Sequence, residues 1–204
     1  MKTLVLHVAL LFFALLFFNS KSTAQVYASS QNFTANWLCE SCSVVNPDYS
    51  VDSDFSSSAT IIQTASSFGS EIYLNIIFST QAKKGEIVGV IVEDLDFKAL
   101  DTSLLSSVIL TTYNGNTSNM DSRKSTDFNF YPLPNSTSKY ILEFEASNTF
   151  NALRFAMKGV NEGALNKIKV YYAYYGSEPV PIVMNFFKAD QNNSKVKLEW
   201  QTAS

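Results

Sequence analysis

The stretch Ile87-Val-Gly-Val-Ile-Val92 is the clearest indication of the fold, because every residue in it is apolar or glycine. A short, uninterrupted apolar run rich in β-branched side chains is typical of a strand that is covered on both faces. The segment therefore predicts the central strand of a β-sheet.

Strand-like segments recur on both sides of this central run. They share β-branched and aromatic residues, which suit pleated strands, and the Ser, Thr and Asn between them suit turns. The predicted strands, the last two being weaker candidates, are Ala59–Thr64, Glu71–Ser79, Ile87–Glu93, Ser107–Tyr113, Tyr140–Ala146, Ala152–Lys158, Lys167–Tyr175, Trp37–Val45 and Asp127–Tyr131.

Turn signals and the scarcity of helices indicate the fold class. Asn114-Gly115 is a tight-turn signal directly after a predicted strand. The one stretch with helical character is Phe97–Leu105, and it is short. Seven to nine short strands without intervening helices predict an all-β fold, an antiparallel β-sandwich with Leu, Ile, Val and Phe in its core.

The first 24 residues have the pattern of a cleaved signal peptide. Lys2 gives a short positive start, and Leu4–Phe18 is apolar except for His7. Ser22-Thr23-Ala24 then offers small residues for cleavage. The apolar run is shorter than the roughly 20 residues of a membrane span. We therefore expect a mature chain that begins at Gln25, is secreted or held at the cell surface, and has no transmembrane segment.

Composition narrows the classes of function. His7 is the only histidine, so a chain starting at Gln25 has no histidine base, nucleophile partner or metal ligand. Asp and Glu number 18 against 15 Lys and Arg, and no basic residue occurs between Gln25 and Ala82. An acidic surface repels phosphate backbones, so we expect no nucleic-acid partner.

Cys39 and Cys42 are the only cysteines. In an exported chain such a C-x-x-C pair closes as a small disulfide or stays as two buried thiols. A redox-active pair sits at a helix N-terminus, and the Ser-Val-Val-Asn-Pro that follows is not typical of a helix start. Zinc would need further Cys or His ligands. The favoured interpretation is a structural disulfide.

Four oxygen donors lie close together in the stretch without basic residues: Asn46, Asp48, Asp52 and Asp54. Calcium prefers about six to eight hard oxygen ligands, which such side chains supply. The spacing is not that of an EF-hand, because the turn glycine and the closing glutamate are missing. The alternative is a set of Asx-turns that cap their own backbone. No cofactor is certain, and a structural calcium is the candidate.

Paired carboxylates could catalyse glycoside hydrolysis without a histidine. The candidate pairs are Glu93-Asp94 with Asp96, and Glu143 with Glu145. Residues two apart on a strand lie about 7 Å apart on one face, and glycosidases use separations of about 5–9.5 Å. Surface strands carry such pairs regularly, so solvated charge is the favoured interpretation.

Sugars stack on exposed aromatic rings and hydrogen-bond to neighbouring Asn, Asp and Arg side chains. Three aromatic residues in or beside predicted loops, and three polar residues close to the last of them, form the predicted ligand-binding set: Trp37, Tyr49, Tyr113, Asn114, Asn116 and Arg123. Most of the other Tyr and Phe residues are expected in the core.

A boundary falls at Gly176–Pro181, where two prolines interrupt strand pairing and stiffen the connection. Beyond it, Ile182–Lys188 and Lys195–Gln201 are strand-like around a turn. A lone hairpin is marginal in water. We therefore expect a longer native chain in which the parts are a β-sandwich domain, a linker and the first hairpin of a second β domain, at residues 25–176, 177–181 and 182–204.

Leu38–Asp54 contains a C-x-x-C-x-V-x-N segment that leads into Val51-Asp-Ser-Asp54, and Val108-Ile-Leu-Thr-Thr-Tyr-Asn-Gly115 follows later. Together these pieces resemble an adhesin-like module of large surface and secreted proteins of the Bacteroidetes. Ser53 stands where such loops usually have glycine. The resemblance covers roughly residues 30–176 and implies an adhesin-type binding module.

Pro179–Ala189 and Val196–Ser204, with their Leu-x-Trp-x-Thr-Ala-Ser ending, resemble the start of a fibronectin-type-III-like region. In type IX secretion cargo this region precedes the C-terminal sorting domain, so the resemblance implies export by that route. More weakly, Ala152–Lys158 and Ile168–Gly176, with the Val51–Asp54 loop, resemble discoidin-like (galactose-binding-like) jelly rolls. Those folds bind glycans and often hold a structural calcium, which implies a jelly-roll-like sandwich here.

These features predict a secreted or cell-surface, non-catalytic binding module whose partners are glycans or other surface polymers. The alternative is a structural spacer domain of a larger surface protein, with no ligand. A carboxylate-only glycoside hydrolase is the less favoured third hypothesis, because it requires a carboxyl of raised pKa in a deep cleft.

Overall fold

The computed structural model describes residues 25–39, 41–63, 69–95, 102–159 and 166–176, and the backbone of residues 184–192 and 195–202. Within these residues there are thirteen strands: β1 Val26–Ala35, β2 Ser43–Val45, β3 Ala59–Gln63, β4 Glu71–Ala82, β5 Ile87–Asp94, β6 Val108–Asn114, β7 Thr117–Lys124, β8 Asn129–Pro132, β9 Lys139–Glu145, β10 Phe150–Lys158, β11 Asn166–Tyr175, β12 Met184–Asn192 and β13 Lys195–Thr202. A 3₁₀ helix covers Pro47–Ser50, and a short α-helix, α1, covers Thr102–Ser106.

Hydrogen bonds join the first eleven strands into one curled antiparallel sheet. One half, the β10 half-sheet, has the order β7-β6-β10-β4-β1. The other half, the β5 half-sheet, has the order β11-β5-β9-β8, with β3 and β2 added beside β11. Strand β1 belongs to both: Val26 and Tyr27 pair with β11, and the strand pairs with β4 from Ala28 onwards, with a bulge between Ala28 and Ser30.

The main core lies between the two halves of the curled sheet. Alternation along β10 sends Leu153, Phe155 and Met157 into it, and β5 contributes Val88, Val90 and Val92 from the opposite half. The predicted fold class is therefore confirmed: the protein is an all-β, antiparallel module of the β-sandwich or jelly-roll-like kind.

Strand β5 is covered on both faces, as its apolar run predicts. Its outward residue Ile91 packs in a second buried cluster with Ile141, Tyr171 and Tyr174. Gly89 makes room for this cluster, because a Cβ atom there would lie 2.6 Å from the Tyr174 hydroxyl oxygen and closer still to its ring.

The seven clearest predicted strands are confirmed, with small shifts at their ends. The candidate strand Trp37–Val45 is wrong in its first part, because residues 37–38 form a turn and only Ser43–Val45 pairs. Strands β1 and β7 were not predicted from the sequence. Strand β7 is mainly polar and half of the residues in β1 are polar, and each strand is at the end of the β10 half-sheet, where the side chains need less burial.

Several predictions concern residues outside the described part. The signal peptide, residues 1–24, and the linker, residues 177–181, are among them, as are the first residues of the predicted helix; α1 lies at its end. Strands β12 and β13 pair antiparallel, as the hairpin prediction requires, whereas their assignment to a second domain stays a prediction. Of the helices that are described, none has the length and apolar character to cross a bilayer.

Candidate functional site

The outer face of the β10 half-sheet carries a polar groove. Alternation along β10 turns Ala152, Arg154, Ala156 and Lys158 to this face. Because the two alanines are small, a cavity of about 200 Å³ opens on one side of Arg154 and one of about 370 Å³ on the other. We call the two cavities together the groove; besides these four residues its lining comprises Asn32, Asn75, Ile77, Tyr113, Gly115 and Asn116, then Glu71, Ile109, Thr111, Ser118, Ser122, Lys124 and Asp127.

Arg154 is at the centre of the groove, between two tyrosine rings. Its guanidinium carbon lies 3.9 Å from the ring centroid of Tyr73 on β4 and 4.2 Å from that of Tyr113 on β6. Strands β4 and β6 flank β10, so the rings come from opposite sides. Contacts of this length are favourable cation–π interactions, and they hold the guanidinium in place.

A chain of amides fixes the third side of Arg154. Its Nε donates a 2.8 Å hydrogen bond to Oδ1 of Asn75, and Nδ2 of Asn75 donates a 2.6 Å bond to Oδ1 of Asn32. The register explains the contacts, because Asn75 pairs with both Arg154 and Asn32 across neighbouring strands. Arg154 thus has little rotational freedom.

The β6–β7 turn forms one end of the groove. Gly115 adopts φ of +60°, and its N–H donates a 2.7 Å hydrogen bond to Oδ1 of Asn151. This fixed turn sets Asn116 against the smaller cavity. Asn114 accepts a 3.1 Å hydrogen bond from Gln81 and does not line either cavity.

The structure separates the six predicted ligand-binding residues. Tyr113 and Asn116 line the groove, and Asn114 lies in the adjoining strand end. Trp37 is in the turn after β1 and is 82% exposed, whereas Tyr49 is 46% exposed in the 3₁₀ helix. Neither of these two rings is a lining residue of the groove.

Arg123 is on the other face of the half-sheet from Tyr113, because it pairs with the inward-facing Leu110. Its guanidinium makes a 2.8 Å ion pair with the buried Asp121 and donates a 2.8 Å hydrogen bond to Ser147. Asp121 also accepts the backbone N–H of Ser147. These contacts tie β7 to the β9–β10 loop and indicate a structural role for Arg123.

Three of the four predicted calcium ligands, Asp48, Asp52 and Asp54, accept hydrogen bonds from other groups of the protein. Asp52 accepts the N–H of Asp54 at 2.9 Å and the hydroxyl of Ser57 at 2.8 Å. Asp54 accepts both the N–H and the hydroxyl of Ser56, which lower the pKa of its carboxyl. These are Asx-turns of the kind that the sequence offered as the alternative.

The remaining two predicted ligands lie at the start of the 3₁₀ helix, Asn46 before its first residue and Asp48 in its first turn. Asn46 precedes it with φ of +51°, and Asp48 accepts a 2.8 Å hydrogen bond from Gln31 of β1. In the described part of the chain, no three Asp, Glu, Cys or His side chains are close enough together to hold a metal ion. The calcium site stays a prediction.

Cys39 and Cys42 are bonded as a disulfide, and Cys39 is buried.

The interpretation of Glu93 as a solvated charge is wrong. Glu93 is 2% exposed, on the outer face of the β5 half-sheet, where Ser138, Lys169 and Tyr171 all donate hydrogen bonds to it. Burial alone raises the pKa of this carboxyl, and the three hydrogen bonds together lower it below its usual value. Burial and Glu93 in turn raise the pKa of Tyr171.

The Glu93 cluster is therefore an ionised, fully paired structural site. Lys139 lies over the Tyr171 ring at 3.5 Å, and burial lowers the pKa of its ammonium group. A general acid for glycoside hydrolysis needs a raised carboxyl pKa, which is the opposite of what Glu93 has. Glu143, the second candidate, accepts a 3.0 Å hydrogen bond from Tyr174.

Four residues at the centre of the groove were not predicted from the sequence: Arg154, Tyr73, Asn75 and Asn32. Asn75 interrupts the otherwise apolar run from Ile72 to Phe78, and Arg154 stands two positions from an alanine on either side in an alternating strand. A polar side chain placed in this way indicates a sheet face that is exposed to solvent. The pattern could have indicated that both residues are exposed, although not that they contact each other.

No known protein family and no curated protein matches the sequence. Among solved structures, the chain is similar to CBM86, a low-affinity xylan-binding module from Roseburia intestinalis, with 10% identity over 72% of this chain and 95% of that one, and a TM-score of 0.36. It is also similar to the K1 cleaved adhesin domain of Lys-gingipain from Porphyromonas gingivalis W83, with 8% identity over 76% and 99% of the two chains, and a TM-score of 0.35. These similarities are distant, so function has to be inferred from the groove itself.

Proposed function

We propose that the protein is a secreted or surface-displayed, non-catalytic module that binds a glycan or similar surface polymer in the groove of the β10 half-sheet. The observation that carries this proposal is Arg154, held between Tyr73 and Tyr113 in an otherwise open polar face. A sheet face needs no such arrangement for folding, because the core is on its other side.

The shape of the groove suits a chain molecule. Its lining runs along β10 from Ala152 to Lys158, a distance of about 20 Å at the rise of a β-strand. The volumes of the two cavities together fall in the range of about 300–1,000 Å³ that is usual for ligand sites. A polymer segment can occupy both cavities, whereas a single sugar fills only part of them.

The chemistry of the groove suits hydroxyl-rich ligands. Amides of Asn32, Asn75 and Asn116 line the smaller cavity, and hydroxyls of Thr111, Ser118 and Ser122 line the larger one. These groups both donate and accept hydrogen bonds, as sugar hydroxyls do. The Tyr113 ring, which lines both cavities, adds apolar surface on which a sugar ring can pack.

Strands hold every central residue of this site. Arg154, Asn75 and Tyr73 come from β10 and β4, which are paired over eight residues along Phe150–Lys158. Sites on paired strands are positioned more precisely than sites on loops. The groove is therefore preformed, which reduces the ordering cost of binding.

Affinity electrophoresis through gels that contain soluble polysaccharides tests the proposal. We expect at least one polysaccharide to retard the wild-type protein, and Tyr113→Ala to reduce that retardation about tenfold or more. Trp37→Ala is the matched control, since it removes a more exposed ring outside the groove. Absence of retardation by any polysaccharide in a broad panel, or equal retardation of Tyr113→Ala, would contradict the proposal and favour the spacer alternative.

A further inference from the structure

Building on the proposed function, we infer that Arg154 makes the groove selective for acidic polysaccharides. An oxyanion of the bound chain, either a uronate carboxylate or a sulfate ester, would accept hydrogen bonds from the Nη atoms of Arg154. The ligand class is thus a polyanionic glycan, and Arg154 is its specificity-determining residue.

The first support is that the Nη groups of Arg154 have no acceptor among the described residues. Nε of Arg154 donates to Asn75, and its Nη groups make no hydrogen bond or ion pair with any described residue. A guanidinium presents its donors as a planar fork that matches two oxygens of a carboxylate or sulfate. A partly buried donor of this kind without a protein acceptor is suited to a ligand acceptor.

The second support is the charge around Arg154. The smaller cavity has no acidic lining residue, so Arg154 is the only charged group in its described lining. In the larger cavity Glu71 pairs with Lys158 at 3.8 Å. Asp127 accepts the backbone N–H of Lys124 and the hydroxyl of Thr126. The described carboxylates therefore leave the charge of Arg154 unneutralised.

The third support is preorganisation. The rings of Tyr73 and Tyr113 and the amide of Asn75 restrict the guanidinium on three sides. A long arginine side chain that is already fixed loses little entropy when it binds. An arginine that merely covers the sheet would be expected to snorkel towards water, with its head group unrestrained.

The experiment compares two polymer backbones, each with and without its negative charge. Polygalacturonate carries carboxylates, and its fully methyl-esterified form has the same backbone without charge; dextran sulfate and dextran provide the same comparison for sulfate. Dissociation constants are measured by affinity electrophoresis for the wild type, Arg154→Gln, Arg154→Lys and Lys84→Gln. Lys84 is exposed in the turn before β5, so its variant removes one positive charge outside the groove.

We expect the wild type to bind at least one acidic polymer about tenfold or more tightly than its uncharged counterpart. Arg154→Gln should weaken binding of that acidic polymer about 10- to 100-fold, the range for a charge-assisted hydrogen bond. Arg154→Lys keeps the positive charge but loses the planar fork of donors, so its affinity for the acidic polymer should lie between those of the wild type and Arg154→Gln. Lys84→Gln should bind as the wild type does. Which acidic polymer responds distinguishes a uronate from a sulfate ligand.

Asn75→Asp is a second variant that keeps the guanidinium. Its carboxylate would stand 2.8 Å from Nε, where Asn75 Oδ1 is now, and would neutralise Arg154. We expect the ratio of the affinities for the charged and the uncharged polymer to fall at least about tenfold.

The outcomes separate this inference from the proposed function. Equal binding of charged and uncharged polymers, or an acidic preference that survives Arg154→Gln, would overturn the inference and leave the binding module in place. If Arg154→Gln weakens both polymer types equally, Arg154 only positions the tyrosines, and the inference also fails. No binding of any of the four polymers overturns acidic selectivity, and the broad panel then decides on the proposed function.

Discussion

Nε of Arg154 donates a 2.8 Å hydrogen bond to Oδ1 of Asn75, across the junction of β10 and β4. This one contact joins two residues 79 positions apart in the chain. It fixes one side of the guanidinium of a residue that lines both cavities of the groove.

Removing this contact should loosen Arg154. For Asn75→Ala we expect the free energy of unfolding to fall by about 0.5–1.5 kcal/mol, because Nε loses its acceptor. Affinity for the glycan should fall about three- to tenfold, since the guanidinium becomes mobile. Denaturant unfolding and affinity electrophoresis measure the two effects. Asn129→Ala is the control, because Asn129 is exposed on β8 in the other half-sheet; an equal loss of affinity in this variant would contradict the account.

The second prediction concerns Gly89, over which the Tyr174 ring lies. In Gly89→Ala the new methyl group would lie 2.6 Å from the Tyr174 hydroxyl oxygen. Overpacking of this kind costs about 1–3 kcal/mol of unfolding free energy, which thermal or denaturant unfolding will show. In a double-mutant cycle with Tyr174→Leu, the penalty of Gly89→Ala should largely disappear. An unchanged penalty would mean that the ring does not cause it.

The third prediction is a pH dependence that comes from Glu93. Its pKa in the folded protein is lower than the ordinary value of 4.5. The stabilisation is therefore complete above about pH 4.5 and is lost as the pH falls through the folded pKa. Glu93→Gln should cost about 1.5–3 kcal/mol at pH 7, and the difference from the wild type should shrink below about pH 4.

Glu145→Gln is the matched control for Glu93→Gln, because it makes the same chemical change at an exposed glutamate, at the end of β9. Its unfolding free energy should stay within about 0.5 kcal/mol of the wild type at both pH values. A wild-type stability that does not decrease more steeply in acid than that of Glu93→Gln would contradict the account.

The fourth prediction distinguishes Asx-turns from a calcium site. Asp52→Ala removes the acceptor for the N–H of Asp54 and the hydroxyl of Ser57. We expect a loss of about 0.5–1.5 kcal/mol, equal in calcium and in chelator, if the carboxylate caps only its own backbone. A melting temperature that calcium raises in the wild type and not in Asp52→Ala would instead establish the calcium site.

The sequence predicts those parts of the fold whose pattern is local. Strand β5 is recognisable because its whole length is apolar, and the β6–β7 turn because Asn114-Gly115 adopts such turns readily. Strand β1 is not recognisable in the same way. Half of its residues from Val26 to Ala35 are polar, and its position follows from pairing with β4 and β11, which is information from elsewhere in the chain.

Only the part of the groove beside the β6–β7 turn could be predicted from the sequence. Tyr113 and Asn116 stand beside the Asn-Gly turn, so an exposed position could be inferred. Arg154 and Tyr73 meet because β6, β10 and β4 are neighbours in the sheet although they are far apart in the chain. Glu93 was misjudged for the same reason, since the groups that cover it come from residues 45 to 78 positions later.

The most direct test of the central claim maps where a glycan binds. Oligogalacturonate and an uncharged xylo-oligosaccharide are titrated separately into ¹⁵N-labelled protein, and the backbone amide shifts are recorded. With at least one of them, we predict the largest shifts at Asn75, Thr111, Tyr113, Asn116 and Arg154, with little change around Trp37 and Tyr49. Shifts confined to Trp37 and Tyr49 or to the β5 half-sheet, or none with either ligand at millimolar concentration, would contradict the account.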